Sequence, residues 1–154
     1  MIKCVIHCSD IHIRRSERHE EYQEQFEKFY REAKDIASKY NPDEVRIVVA
    51  GDIVHNKVSV TNELYVFVNK FISSLGSIAK TIVIAGNHDL LVGNNDKMDT
   101  ITPLFEIGDY SNVIYLDRHL GYKSGVYVDD NVAWCLYSIF DNYEFIPIIF
   151  HFSI

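Results

Sequence analysis

The chain has 154 residues, a length that fits one compact domain. Apolar residues make up 47% and charged residues 24%, and the 7 glycines and 3 prolines exclude a disordered or low-complexity chain. The acidic residues number 22 against 15 basic ones, for a net charge of -7. This charge excludes attachment to nucleic acid by bulk attraction alone, so any nucleic acid would be gripped locally, through metal ions or a partner.

No targeting or membrane-spanning segment is predicted. Residues 1–13 are apolar but interrupted by Lys3 and Asp10, unlike the uniform apolar stretch of a signal peptide. Residues 145–154 are very apolar, but they are half the length of a membrane helix and are predicted to form a buried strand. The 3 cysteines lack zinc-site spacing and fit a reducing compartment. We therefore expect a soluble, intracellular protein that binds no membrane.

The first two-thirds of the chain alternates between strand and helix patterns. Short β-branched runs predict strands, and apolar residues at spacings of three and four predict helices whose aromatic and aliphatic stripes face the core. The predicted elements are strand 2–8, helix 22–40, strand 45–50, helix 64–75 and strand 81–85. Gly76 is predicted to cap the second helix, and His7 is expected to be an interior histidine of the first strand.

The last third is rich in short strands. The predicted elements are helix 102–107 and strands 113–116, 126–128 and 132–137. Asp130-Asn131 lies between the last two strands, as in a hairpin. The order of elements predicts an α/β fold in one domain, residues 1–154, with a parallel β-α-β-α-β start and a β-rich end.

Three predicted strands end in polar residues. Asp10-Ile11-His12 follows the first strand, Gly51-Asp52 the second, and Gly86-Asn87-His88-Asp89 the third. Each segment alone could be a turn or a cap, but in an open α/β sheet the carboxyl ends of the strands form the site. Carboxylate, imidazole and amide oxygen ligands together suit Mn²⁺, Fe or Zn²⁺. One carboxylate can bridge two such ions ~3.5–4 Å apart, and the pair can activate water against a phosphate ester.

The three segments resemble the first three motifs of the calcineurin-like metallophosphoesterases. The resemblance implies an α-β-β-α sandwich and two divalent metal ions. It assigns the metal ligands Asp10, His12, Asp52 and Asn87. Asp10 and His12 would bind the first ion, Asp52 would bridge, and Asn87 would bind the second. His88 would then donate a proton or contact the phosphate, with Asp89 positioning it.

Within that superfamily, the context is similar to the SbcD-type exonucleases of DNA double-strand-break repair and recombination. The similar segments are residues 9–14 before an aromatic helix, residues 51–57, and residues 86–89 before helix 102–107. This resemblance covers about residues 2–140. It implies Mn²⁺, a DNA substrate, a homodimer and an SMC-like ATPase partner.

The chain also departs from the family pattern. The family has a fourth motif with a lone histidine and a fifth, Gly-His-x-His, and no Gly-His-x-His occurs here. His151 follows the apolar run 145–150 and could match the fourth motif, or it could be a histidine in a frayed end. We therefore expect a domain that is incomplete at its C-terminus and binds metal poorly, because ligand count sets affinity.

Alternative interpretations stay open at this point. The chain could act on a small phosphodiester or a phosphoprotein, which its acidic charge favours, or it could be a truncated chain without activity. His55 could lie near the site or be a surface residue. The basic residues that could contact a DNA backbone, or form only a solvated face, are Arg14, Arg15, Arg18 and Lys57.

Overall fold

The computed structural model describes residues 1–15, 17–55, 60–90 and 98–141. The predicted α/β class is confirmed, and the predicted strand at 145–154 lies outside the described residues. The elements in chain order are β1 (Cys4–Cys8), α1 (His19–Ala37), β2 (Val45–Ala50), α2 (Asn62–Ile78), β3 (Lys80–Ile84), α3 (Thr102–Ile107), β4 (Val113–Tyr115), α4 (Leu116–His119), β5 (Gly125–Asp129) and β6 (Val132–Leu136).

Strands β1 to β4 form one parallel sheet in the order β1-β2-β3-β4. Since the strands are parallel, their carboxyl ends reach the same edge of the sheet. Strands β5 and β6 form an antiparallel hairpin that turns at Asp130-Asn131, as predicted. Asn131 also binds the start of the chain, where its Oδ1 accepts the N–H of Ile2 at 2.6 Å and its Nδ2 donates to the Ile2 carbonyl at 3.3 Å.

The main core lies between one face of the sheet and helices α1 and α2. Phe26 of α1 packs on Phe71 of α2 with ring centroids 4.5 Å apart. Phe71 is buried, and the sheet contributes Ile47 and Val49, both 0% exposed. The apolar stripe predicted for the first helix therefore faces the core at Phe26, Tyr30 and Ala33, whereas Ile36 and Tyr40 are exposed.

Gly76 does not cap the second helix as the sequence predicted but lies within it. Helix α2 continues through it to Ile78, and a Cβ at this position would lie 2.6 Å from a methyl group of Val113. The glycine thus lets β4 approach the helix closely. Its helical neighbours alone could not reveal this contact, because Val113 lies far along the chain.

His7 is exposed, so the prediction of an interior histidine is wrong. Its register partner in β2 is Val48, which places it on the face opposite the main core. The β5–β6 hairpin covers that face beside Ile82 of β3. Within the described residues this cover does not extend to β1, where Val5 is also 46% exposed.

A buried ion pair fastens the hairpin to the sheet. Nε of Arg46 lies 2.6 Å from Oδ2 of Asp129, and its Nη2 lies 3.1 Å from Oδ1. Nζ of Lys80 adds a contact of 3.2 Å to Oδ1. Hydrogen bonding from Arg46 and Lys80 outweighs burial and holds the pKa of Asp129 below its ordinary value.

Asp129→Asn should therefore lower the free energy of unfolding by about 3 kcal/mol at neutral pH, since it leaves the Arg46 guanidinium buried without a counter-charge. The folded pKa of Asp129 is lowered, so its contribution is present at neutral pH and lost as the pH falls through that value. Urea denaturation at several pH values measures both effects. Asp130→Asn, at an exposed position of the same hairpin, is the control and should cost less than about 1 kcal/mol. Equal losses in the two variants would contradict the role of the buried pair.

Candidate metal centre

The candidate site is built on three loops that follow β1, β2 and β3. The first two loops run side by side: His12 N–H donates to the Asp52 carbonyl at 2.9 Å, and Ile13 N–H donates to the Ile53 carbonyl at 2.8 Å. His55 N–H donates back to the Ile13 carbonyl at 3.0 Å. The parallel ladder of β1 and β2 is therefore interrupted after the strand ends and resumes at Ile13 and Val54. The residues at this break form the candidate site.

Three residues at this break have a left-handed backbone. The φ angles of Asp10, His12 and Asp52 are 55°, 51° and 53°. Non-glycine residues rarely adopt this conformation, which costs of order 1–3 kcal/mol at each position. The buried residues Ile13 and Ile53, both 0% exposed, anchor the loops directly after the strained positions. Three of the six described non-glycine residues with this backbone are therefore predicted metal ligands.

The structure brings Asp10, His12 and Asp52 together. One ligand atom of each lies within 4.8 Å of the others, and Nε2 of His12 is 3.9 Å from Oδ2 of Asp52. Nδ1 of His12 is buried and has no hydrogen-bond partner within the described ranges. A buried polar atom is normally paired, so this group of donors fits a divalent cation.

The third loop reaches the same group through Asp52. Oδ1 of Asp52 accepts the N–H of His88 at 2.8 Å. A Cβ on Gly86 would overlap the Asp52 carboxylate, so only glycine permits this approach. Asn87 lies between these two contacts and is exposed. Asp52 thus lies between His12 and the loop that carries Asn87.

Asp89 is buried and joins two loops through their backbones. Its carboxylate accepts N–H groups from Gly86 at 2.8 Å, Val54 at 2.9 Å and Ile53 at 3.3 Å. Burial raises the pKa of Asp89 to about 6, although the three donors oppose the shift. The sequence prediction gave Asp89 the task of orienting His88; in the structure its described partners are the backbone groups of the loops.

The His88 ring is held by His55 instead. Nδ1 of His88 lies 3.0 Å from the His55 carbonyl oxygen. The two rings are stacked with centroids 5.5 Å apart, and the His88 ring meets His12 edge-on at 4.6 Å. Burial lowers the pKa of His55, and the charge of Arg14 adds to the effect. His55, whose place the sequence left open, therefore belongs to the site.

Two residues that support the third loop were missed from the sequence. Asp117 is 0% exposed; its Oδ2 accepts the N–H of Ala85 at 2.8 Å, and its Oδ1 accepts the Ser138 hydroxyl at 2.7 Å. Thr100 donates to the Asp89 carbonyl through its N–H at 2.8 Å and its hydroxyl at 3.0 Å. The position of Asp117 could have been predicted from the sequence, since it follows the apolar run of β4 as Asp52 follows β2.

Two of the basic residues after the first strand are engaged with carboxylates. Arg14 pairs with Glu17 at 3.4 Å, and Arg18 pairs with Glu21, all on exposed side chains. These pairs favour the solvated-face interpretation for the two arginines. Lys57 and the predicted ligand His151 lie outside the described residues.

The comparisons with known proteins agree with this geometry. The calcineurin-like phosphoesterase family model matches residues 5–149. The chain is 34% identical over 142 residues to "Uncharacterized protein R555" of Acanthamoeba polyphaga mimivirus. The matched segment covers 92% of this chain and 10% of that viral protein, so the chain spans about a tenth of its relative's length. The chain belongs to the calcineurin-like phosphoesterase family, whose members usually bind divalent metals and hydrolyse phosphoesters. None of the described helices is both long enough and apolar enough to span a membrane.

Gly86→Ala should weaken Mn²⁺ binding at least tenfold, because the added methyl group would push the Asp52 carboxylate out of place. Isothermal calorimetry measures the affinity. Gly125→Ala is the matched control, since its Cβ would lie 3.5 Å from Leu120, an ordinary contact. Unchanged affinity in Gly86→Ala would contradict the position assigned to Asp52.

Proposed function

We propose that this chain is a phosphodiester hydrolase that uses two divalent metal ions, by preference Mn²⁺. Asp10 and His12 would bind one ion, Asn87 would bind the other, and Asp52 would bridge them. The position of Asp52 carries the proposal, because its carboxylate lies near His12 and also accepts the N–H of His88 at 2.8 Å. Mixed carboxylate, imidazole and amide oxygen ligands fit Mn²⁺. Bound there, the ions would supply the positive charge that activates water and stabilises the phosphate ester in the transition state.

His88 is proposed as the proton donor to the leaving oxygen. A carbonyl oxygen can only accept a hydrogen bond, so the contact with His55 places a hydrogen on Nδ1 of His88. Nε2 is then the nitrogen that faces away from this contact and can carry the second proton. The same contact fixes the direction of the ring, and Asp89 fixes the loop beneath it. General acid catalysis of this kind contributes about 10²–10⁴-fold in rate.

For the substrate, we propose DNA and a role like that of an SbcD-type nuclease subunit. The supporting observation is His55, which comes from the polar turn after β2 and lies beside His88. A small phosphodiester is the second candidate. The net charge of -7 and the glutamate partners of Arg14 and Arg18 favour it, since both reduce attraction to a DNA backbone.

Asp52→Asn and His88→Ala should each lower Mn²⁺-dependent hydrolysis about 100-fold or more, through loss of the bridging charge and of the proton donor. Initial rates on a chromogenic phosphodiester measure the effect. His119→Ala, on an exposed residue of α4, is the control and should keep the full rate. Retained activity in both site variants would contradict the assignments. If the unaltered chain hydrolyses no phosphoester, the interpretation of a chain without catalytic activity is favoured.

The substrate question is settled by comparing substrates on the same preparation. Faster hydrolysis of duplex DNA ends than of the chromogenic diester would support the nuclease role. Turnover of the small diester alone would favour the second candidate. Turnover of a phosphopeptide alone would contradict both.

A homodimer and an SMC-like ATPase partner are proposed on the same resemblance. For the dimer, we propose the groove between α2 and α3, where Val66 is 68% exposed and Ile107 is 89% exposed. The polar residues of this groove, Asn62 and Asn69, are uncharged. Two copies with a net charge of -7 repel each other, so an uncharged apolar surface is where they can meet.

Val66→Glu should shift the chain toward the monomer, because it places a charge in this groove on both copies. Analytical ultracentrifugation over a range of concentrations measures the shift. Val128→Glu is a closely matched control, since Val128 is 66% exposed on the β5–β6 hairpin. The same dimer affinity in both variants would rule out the α2–α3 groove as the interface.

A further inference from the structure

A second group of ligand atoms overlaps the carboxylate group. His12, His55 and His88 come from three separate loops, and one ring nitrogen of each lies within 4.8 Å of the others. The ring centroids are 4.6 Å apart for His12 and His88, 5.4 Å for His12 and His55, and 5.5 Å for His55 and His88. Three converging imidazoles form a donor set that differs in chemistry from Asp10, His12 and Asp52.

Two of the rings, those of His88 and His12, each leave a ring nitrogen available as a ligand. The hydrogen bond from Nδ1 of His88 to the His55 carbonyl leaves the lone pair of a neutral His88 ring on Nε2. A carbonyl that accepts from the other ring nitrogen is the usual support of a metal-binding histidine. Nδ1 of His12 is buried and lacks a hydrogen-bond partner in the described part of the chain, so it is also available.

We propose that His12, His55 and His88 form a second cation site that takes Zn²⁺ or a similar transition metal in preference to Mn²⁺. Imidazole suits Zn²⁺, whereas carboxylate and amide oxygens suit Mn²⁺. Both groups need His12, so a cation on the three histidines excludes the full ligand set of Asp10, His12 and Asp52. It also occupies His88, and Zn²⁺ would therefore inhibit hydrolysis. This inhibition rests on the proposed function, but the site itself does not.

Calorimetry with Zn²⁺ and with Mn²⁺ on two variants tests the site. His55→Gln should weaken Zn²⁺ binding at least tenfold and leave Mn²⁺ binding within about twofold of the unaltered chain. Asp10→Asn, at an exposed side chain, should weaken Mn²⁺ binding at least tenfold and leave Zn²⁺ binding within about twofold. His119→Gln is the control for nonspecific binding to an exposed histidine and should change neither affinity. Thermal unfolding checks that each variant is folded. If His55→Gln does not fold, His88→Gln replaces it, with the same expected result.

Competition tests the exclusion. Zn²⁺ added to the Mn²⁺-loaded chain should release Mn²⁺, which electron paramagnetic resonance detects as the free ion. The His55→Gln variant should keep its Mn²⁺ at the same Zn²⁺ concentration. Unchanged Zn²⁺ binding in His55→Gln, equal loss of both metals in Asp10→Asn, or equal release from both proteins would overturn the proposal. Since no readout is hydrolysis, an inactive chain would contradict the proposed function and leave this test intact.

Discussion

The site depends on one buried carboxylate, that of Asp89. It accepts N–H groups from Ile53 and Val54 of the second loop and from Gly86 of the third. Hydrogen bonds to a charged group contribute roughly 1.5–3 kcal/mol each, so Asp89 holds in place the two loops that carry Asp52 and Asn87. Burial nevertheless raises its pKa to about 6, so desolvation outweighs the three donors. The folded chain then binds this proton more tightly than the unfolded chain, so stability falls as the pH rises from the ordinary pKa of 3.8 to about 6 and stays lower above that value.

The strained backbone at the proposed ligands requires such support. Asp10, His12 and Asp52 each adopt a conformation that an isolated chain would leave. Directly after them, Ile13 and Ile53 are fully buried and hydrogen-bonded to each other through their backbones. Apolar burial thus pins both loops immediately beyond the strain. The backbone of the proposed ligands is consequently fixed by the core of the domain, which would lower the ordering cost of binding a cation.

The sequence predicted the parts of this structure that depend on local pattern and missed those that depend on distant packing. Apolar spacing located the strands and helices, and parallel topology then brought the three polar loops to one edge. The task of Gly76 depends on Val113, and the exposure of His7 depends on how far the hairpin extends, so neither was readable locally. Ile53 and Val54, which donate to Asp89, and Ala85, which donates to Asp117, likewise lie 32 to 36 residues away along the chain.

The contact between Ile2 and Asn131 has a consequence for the order of folding. These residues are 129 positions apart, yet the Asn131 side chain binds both backbone groups of Ile2. Closing so long a loop costs entropy that shorter contacts do not incur. The β5–β6 hairpin can form early, because its strands are adjacent in sequence. The amino end of β1 must wait until the hairpin turn docks, so it is secured only after the hairpin has formed.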